Sequence, residues 1–135
     1  MQAVWTKALE RRSTDPEGSV TAACTLLEDV CKHTIEDSGG EWETKWNIPK
    51  LYGQAAQLLN LAPSQHEGDV FKTILGSCQS IVQGVGSLRN KGSDAHEGGR
   101  ARVPFKPCHA AFTVNLAGSM ALFLIETWQA RSEGS

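Results

Sequence analysis

The stretch Val20-Thr21-Ala22-Ala23-Cys24-Thr25-Leu26-Leu27-Glu28-Asp29-Val30-Cys31-Lys32-His33-Thr34-Ile35 decides the fold. Val20, Ala23, Cys24, Leu27, Val30, Cys31 and Ile35 recur every three or four residues, the period of an amphipathic α-helix. Ser13-Thr14-Asp15-Pro16 supplies its start, with a capping side chain, a proline suited to the first turn, and Glu17 placed where the helix dipole favours an acid. Ser38-Gly39-Gly40 supplies its stop.

Outward from that helix the same period returns and strand-like alternation does not. Residues 1–12 read as a short first helix with Val4, Trp5, Ala8 and Leu9 on one side. Ile48-Pro49 opens another, with Leu51, Tyr52, Ala55, Leu58 and Leu59 facing inward, and Leu61-Ala62-Pro63-Ser64 stops it and caps the next. From about residue 65 to 90, Val70, Phe71, Ile74, Leu75, Cys78, Ile81, Val82, Val85 and Leu88 form a long apolar stripe. Gly84 and Gly86 interrupt it, each costing about 1 kcal/mol against alanine, so a close approach of another helix, a substrate or a second copy is expected there. A last helix over about 109–131 is apolar on more than one stripe, through Ala110, Ala111, Val114, Ala117, Ala121, Leu122, Leu124, Ile125 and Trp128. Such a helix is either central to a bundle or shared with a second chain. The expected architecture is all-α, a bundle of about five helices forming one domain over residues 1–135.

Composition narrows the function classes. A formal net charge of -2 argues against wrapping duplex DNA, and the most strongly apolar run, residues 120–125, is too short to span a bilayer. A soluble cytoplasmic protein is expected, with no membrane or DNA partner. Cys24 and Cys31 lie seven apart on one helix, about 10 Å along its axis and beyond disulfide reach. With no CxxC pair or spaced Cys/His set, neither a metal nor another cofactor is expected, and the four cysteines read as buried, reduced thiols. Trp42 and Trp46 read as cover for one edge of the core in preference to a base-stacking platform.

Polar chemistry concentrates in Arg89-Asn90-Lys91-Gly92-Ser93-Asp94-Ala95-His96. Gly92 is expected to stop the long helix just after Arg89, leaving His96 to fold back across a short polar loop. Arg89 and His96 are separated by six residues, the outer limit of the RX4-6H signature. With six arginines and four histidines, such a spacing arises by chance roughly half the time, and Arg102 and His109 match it too. Context distinguishes the first pair: a long apolar helix before it, Asn90 beside the arginine, and a glycine-rich exit.

Thr14-Asp15-Pro16-Glu17-Gly18 leading into 22–28, Leu88-Arg89-Asn90-Lys91 with Asp94-Ala95-His96, and His109-Ala110 with 114–118 and 123–127 together resemble the abortive infection protein C-terminal domain, in order along nearly the whole chain. That family is similar to the HEPN superfamily of all-helical domains, many of which are metal-independent ribonucleases serving as toxins or phage-defence effectors. The resemblance puts Arg89 and His96 on the catalytic pair and Asn90 on the polar residue that commonly follows the arginine. Gly92 and Ser93 depart from the family pattern.

The residue types suit that chemistry on their own terms. RNA carries its own nucleophile, so cleavage needs a base for the 2′-OH proton, which histidine supplies near neutral pH, and a cation for the charge growing on phosphorus, which a planar arginine supplies. Asn90 or Asp94 can orient the imidazole and Lys91 can hold a flanking phosphate. Arg100 and His109 complete the supporting set, His109 being equally readable as an ordinary first-turn residue. The expected function is an endoribonuclease acting as a toxin or defence effector, with RNA as substrate, a homodimer as the assembly and an antitoxin protein as a further partner. The alternative is a non-catalytic dimerisation or ligand-sensing module of a defence protein.

Overall fold

The computed structural model describes Thr6, Leu9, Glu10, residues 15–62, Gln65, and residues 67–98 and 106–134, with the side chains of 88–98 and 132–134 outside the description. Four helices organise it: α1 (Pro16–Asp37), α2 (Ile48–Leu58), α3 (Asp69–Gly98) and α4 (Pro107–Gly134), with no strand among the described residues. Of the expected first helix, Thr6, Leu9 and Glu10 are helical, and the remaining residues of 1–12 lie outside the described set.

Local chemistry sets the ends. Asp15 caps α1 by accepting from the Gly18 amide at 3.1 Å, and Pro16 occupies the first turn. At the other end Gly39 takes φ +83 and the Gly40 amide returns to the Ile35 carbonyl at 2.8 Å. Asn47 caps α2 through the Lys50 amide at 3.1 Å. Asn60, at φ +62, closes α2, with the Leu61 amide bonded to the Ala56 carbonyl at 2.7 Å.

Four contacts fix the helix directions. Cys24 Sγ lies 3.9 Å from the Val85 carbonyl, and Gly86 lies beside Ile48 and Pro49. Ala23 packs with Val114 and Ala117, and the Arg131 guanidinium donates to the Leu58 carbonyl. With Gly40 set against Ile35 and Leu58, α1, α2 and α4 run the same way; Cys78 of α3 meets Tyr52 while Gly86, further along α3, meets the start of α2, so α3 runs against them. Residues 38–47 therefore return along the bundle's flank. Trp42 and Trp46 pack against the core on that return, their indole N–H groups donating to Glu36 at 2.9 Å and Glu43 at 3.0 Å. Lys32 and Lys50 lie over their rings, 4.6 and 5.1 Å from the centroids, so both tryptophans cover an edge as the sequence suggested.

Every apolar position of the α1 stripe is buried, joined by Ile48, Leu51, Tyr52, Ala55 and Ala56 of α2, Leu75, Val82 and Val85 of α3, and Leu124 of α4. The α3 stripe is not wholly core. Val70 is 77% exposed and Ile74 51%, with Phe71 also exposed, because the first side chain of α3 to turn into the bundle is Leu75. On α4, Leu122 is likewise exposed while Ala110, Val114, Ala117, Met120, Ala121 and Leu124 are buried. Over Pro107–Arg131, α4 is long and apolar enough to cross a membrane by length and composition, with a mean hydropathy of 1.6 in its most apolar window. The short run at 120–125 understated this, since alanines spread the apolar character along the helix; its buried face packs against α1.

Candidate functional site

The expected loop between Arg89 and His96 is absent: α3 continues through Gly92 and ends at Gly98. One glycine costs a helix about 1 kcal/mol and does not by itself end it; Arg89, Lys91, Ala95 and Glu97 are sound helix formers among weaker ones such as Asn90, Ser93 and Asp94, and the next proline is Pro104, so nothing in the segment forbids the observed helix. Arg89, Asn90, Lys91, Asp94 and His96 thus all occupy backbone positions of one rod. Positions 89 and 96 are seven apart, about two turns and 10 Å along the axis, which returns them to the same side. Positions 90 and 94, one turn apart, share a second side, and 91 belongs to a third. The side chains of these five residues lie outside the described set, as do Arg100 and Arg102 altogether.

The surroundings of this segment follow from the helix directions. Beyond Gly86, which sits at the first turn of α2, α3 proceeds toward the end of the bundle where α1 and α4 begin. The N-termini of α1 and α4, each carrying about half a positive charge, lie at the end toward which the last turns of α3 point, while α2 begins further in, level with Cys24. At the start of α1 the Asp15 carboxylate caps the helix and Glu17 adds a second acid. Lys106 adds an exposed cation there. His109 lies in the first turn of α4, exposed, its carbonyl accepting from the Thr113 hydroxyl at 2.8 Å.

Three other reactive groups, Cys31, Tyr52 and Cys78, lie in or against the core. Burial, with Glu28 adding to it, pushes the Cys31 thiol from its ordinary 9.0 up to about 12. Burial likewise raises the Tyr52 hydroxyl well above its usual range and raises Cys78, with the Tyr52–Cys78 pairing partly opposing the latter shift. None is a nucleophile near neutral pH. Cys24 and Cys31 are buried, Cys78 is half-buried and Cys108 is exposed, so the expectation of four buried thiols fails at Cys108, which sits in the first turn of α4; all four are free. Among the described residues no group of three or more His, Cys, Asp or Glu is arranged to hold a metal. His33 is exposed, and His66 lies outside the described residues.

Sequence reasoning missed a concave feature. Where α2 and α4 end, Gln57, Asn60, Gln65, Thr127 and Arg131 line a cleft of about 660 Å³. Only the left-handed backbone at Asn60, which forms just past the helix stop, left a trace in sequence, since asparagine is the residue that most readily replaces glycine in that role.

An all-α bundle whose long antiparallel helix carries Arg-Asn-Lys and a histidine two turns on defines a HEPN-like class of domain. The family model Abi_C, described as a HEPN-like domain, matches residues 1–128, and the chain belongs to that family. It is accordingly an abortive-infection-associated module. No curated protein and no solved structure matches the chain.

Proposed function

We propose that this module is a metal-independent endoribonuclease that acts in the cytoplasm as a toxin or abortive-infection effector. His96 takes the proton from a ribose 2′-OH, whose oxygen attacks the adjacent phosphorus, and Arg89 stabilises the charge on the resulting phosphorane. The P–O5′ bond then breaks, the departing oxygen takes up a proton, and the products are a 2′,3′-cyclic phosphate and a 5′-hydroxyl. Asn90 or Asp94 orients the imidazole, Lys91 and Arg100 hold flanking phosphates, and His109 stands at the mouth of the site. The observation that carries this reading is the unbroken run of α3 through residues 89–96, which sets positions 89 and 96 on one side of the helix near the end where α4 begins with Lys106 and His109.

A homodimer supports the same chemistry by bringing a second motif to donate the leaving-group proton. The exposed Val70 and Ile74 of α3, and Gly84 with nothing within 4 Å of a methyl built on it, favour a second copy along that helix. The deciding experiment is incubation with total RNA, with and without EDTA, and chemical identification of the cut ends. Cyclic phosphate ends formed in chelator support the enzyme. Absence of cleavage, or its loss with EDTA, replaces it by a non-catalytic dimerisation or ligand-sensing module.

A further inference from the structure

We infer that the cleft between the ends of α2 and α4 binds a small molecule bearing a phosphate or carboxylate group. It is an open groove of about 660 Å³, large enough for a small ligand that keeps one face in solvent. Arg131 brings a guanidinium into it, and among the described residues no carboxylate lines it. Among the described residues Arg131 pairs with no acid; the ion pair seen among them is Lys45–Glu43, in the connection between α1 and α2. One Nη of Arg131 donates to the Leu58 carbonyl, which fixes the planar group and leaves its remaining N–H donors for a planar oxyanion.

A helix C-terminus ordinarily repels anions, but the last carbonyls of α2 are already occupied. Ala55 accepts from Leu59 N at 3.0 Å, Ala56 from Leu61 N at 2.7 Å, and Gln57 from both Asn60 N and Gln65 Nε2, each at 3.2 Å. The lining amides of Gln57 and Gln65 and the Thr127 hydroxyl give a polar body both donors and acceptors. The cleft lies at the opposite end of the bundle from residues 89–96, so this inference stands whether or not RNA is cut.

The test is an NMR amide titration of the full chain with inorganic phosphate, ribose 5-phosphate or citrate, with ribose as the uncharged control. Saturable shifts at 57–60 and 127–131 with phosphate and ribose 5-phosphate identify a phosphate ligand, and with citrate alone a carboxylate ligand. Arg131→Gln should abolish them. Gln57→Glu, which leaves the Leu58–Arg131 bond intact, should weaken binding at least about tenfold by placing a like charge in the cleft, and it decides the matter if Arg131→Gln fails to fold. No saturable shift with any anion, equal shifts with ribose, or unchanged affinity in Gln57→Glu overturns the inference.

Discussion

Gly86 of α3 lies against Pro49 of α2, where a methyl group in place of the glycine hydrogen would sit 3.6 Å from Cδ of the proline ring. That is ordinary van der Waals contact, so the close approach expected at this glycine is real but not tight. Gly84, two residues earlier, meets nothing within 4 Å. Gly84→Ala should therefore stabilise the folded monomer by about 0.5–1 kcal/mol, measured by urea unfolding, since alanine relieves the backbone entropy cost of a mid-helix glycine. Gly40→Ala should do the reverse, because its methyl would come 2.9 Å from Leu58 and 3.1 Å from Ile35.

Self-association offers a second readout at the same face. Light scattering at micromolar concentration should give a dimer, and Ile74→Glu should return it to monomer with little change in melting temperature, as that side chain is half in solvent within one chain. Gly84→Ala should weaken the dimer while stabilising the monomer. A monomer at micromolar concentration in the unaltered protein counts against the assembly.

In the cleavage assay, His96→Ala should lower the rate at least about 10²-fold, as expected for a general base, and Arg89→Lys should not restore an Arg89→Ala loss, because an ammonium lacks the planar fork. Arg102→Ala, at the decoy spacing, should cost little. Undiminished activity in His96→Ala would remove the assignment.

Alkaline stability follows from the buried thiol. The unfolded Cys31 releases its proton near 9.0 and the folded one near 12, so between those values the unfolded state binds fewer protons and is favoured as pH rises. The contribution is fully present below about pH 9 and lost through 12, with Tyr52 and Cys78 shifted in the same direction. Cys31→Ala should flatten this dependence in melts taken from pH 8 to 11. Separately, Tyr52→Phe should be close to neutral, because the buried Tyr52 hydroxyl has only the Cys78 thiol beside it, a weak partner whose loss leaves little unsatisfied.

The sequence was most legible where periodicity and capping agreed. The Asp15 cap, the Gly39 stop and the α1 stripe all follow from local rules that the tertiary structure had no reason to override. The first turns of α3 were less so: Val70, Phe71 and Ile74 continue an apolar period, yet a period cannot say where a neighbouring helix stops covering it. Gly92 misled because one glycine does not by itself end a helix: no proline follows until Pro104, and α3 runs on through the weak helix formers Ser93 and Asp94. The cleft was invisible because Leu58 and Arg131 are 73 residues apart and meet only through the direction of α4.

The continuity of α3 turns the spacer between Arg89 and His96 into a matter of angle. Each helical residue advances about 100°, so spacers of four, five and six residues rotate the second position by about 140°, 240° and 340° from the first. Among spacers of that length, only six residues bring the two positions round to one side of an unbroken rod. A single inserted or deleted residue would swing His96 a quarter-turn or more away from Arg89 while leaving every residue of the motif in place, whereas a loop would absorb the same change. The length of this spacer is then as much a part of the site as the two residues it separates.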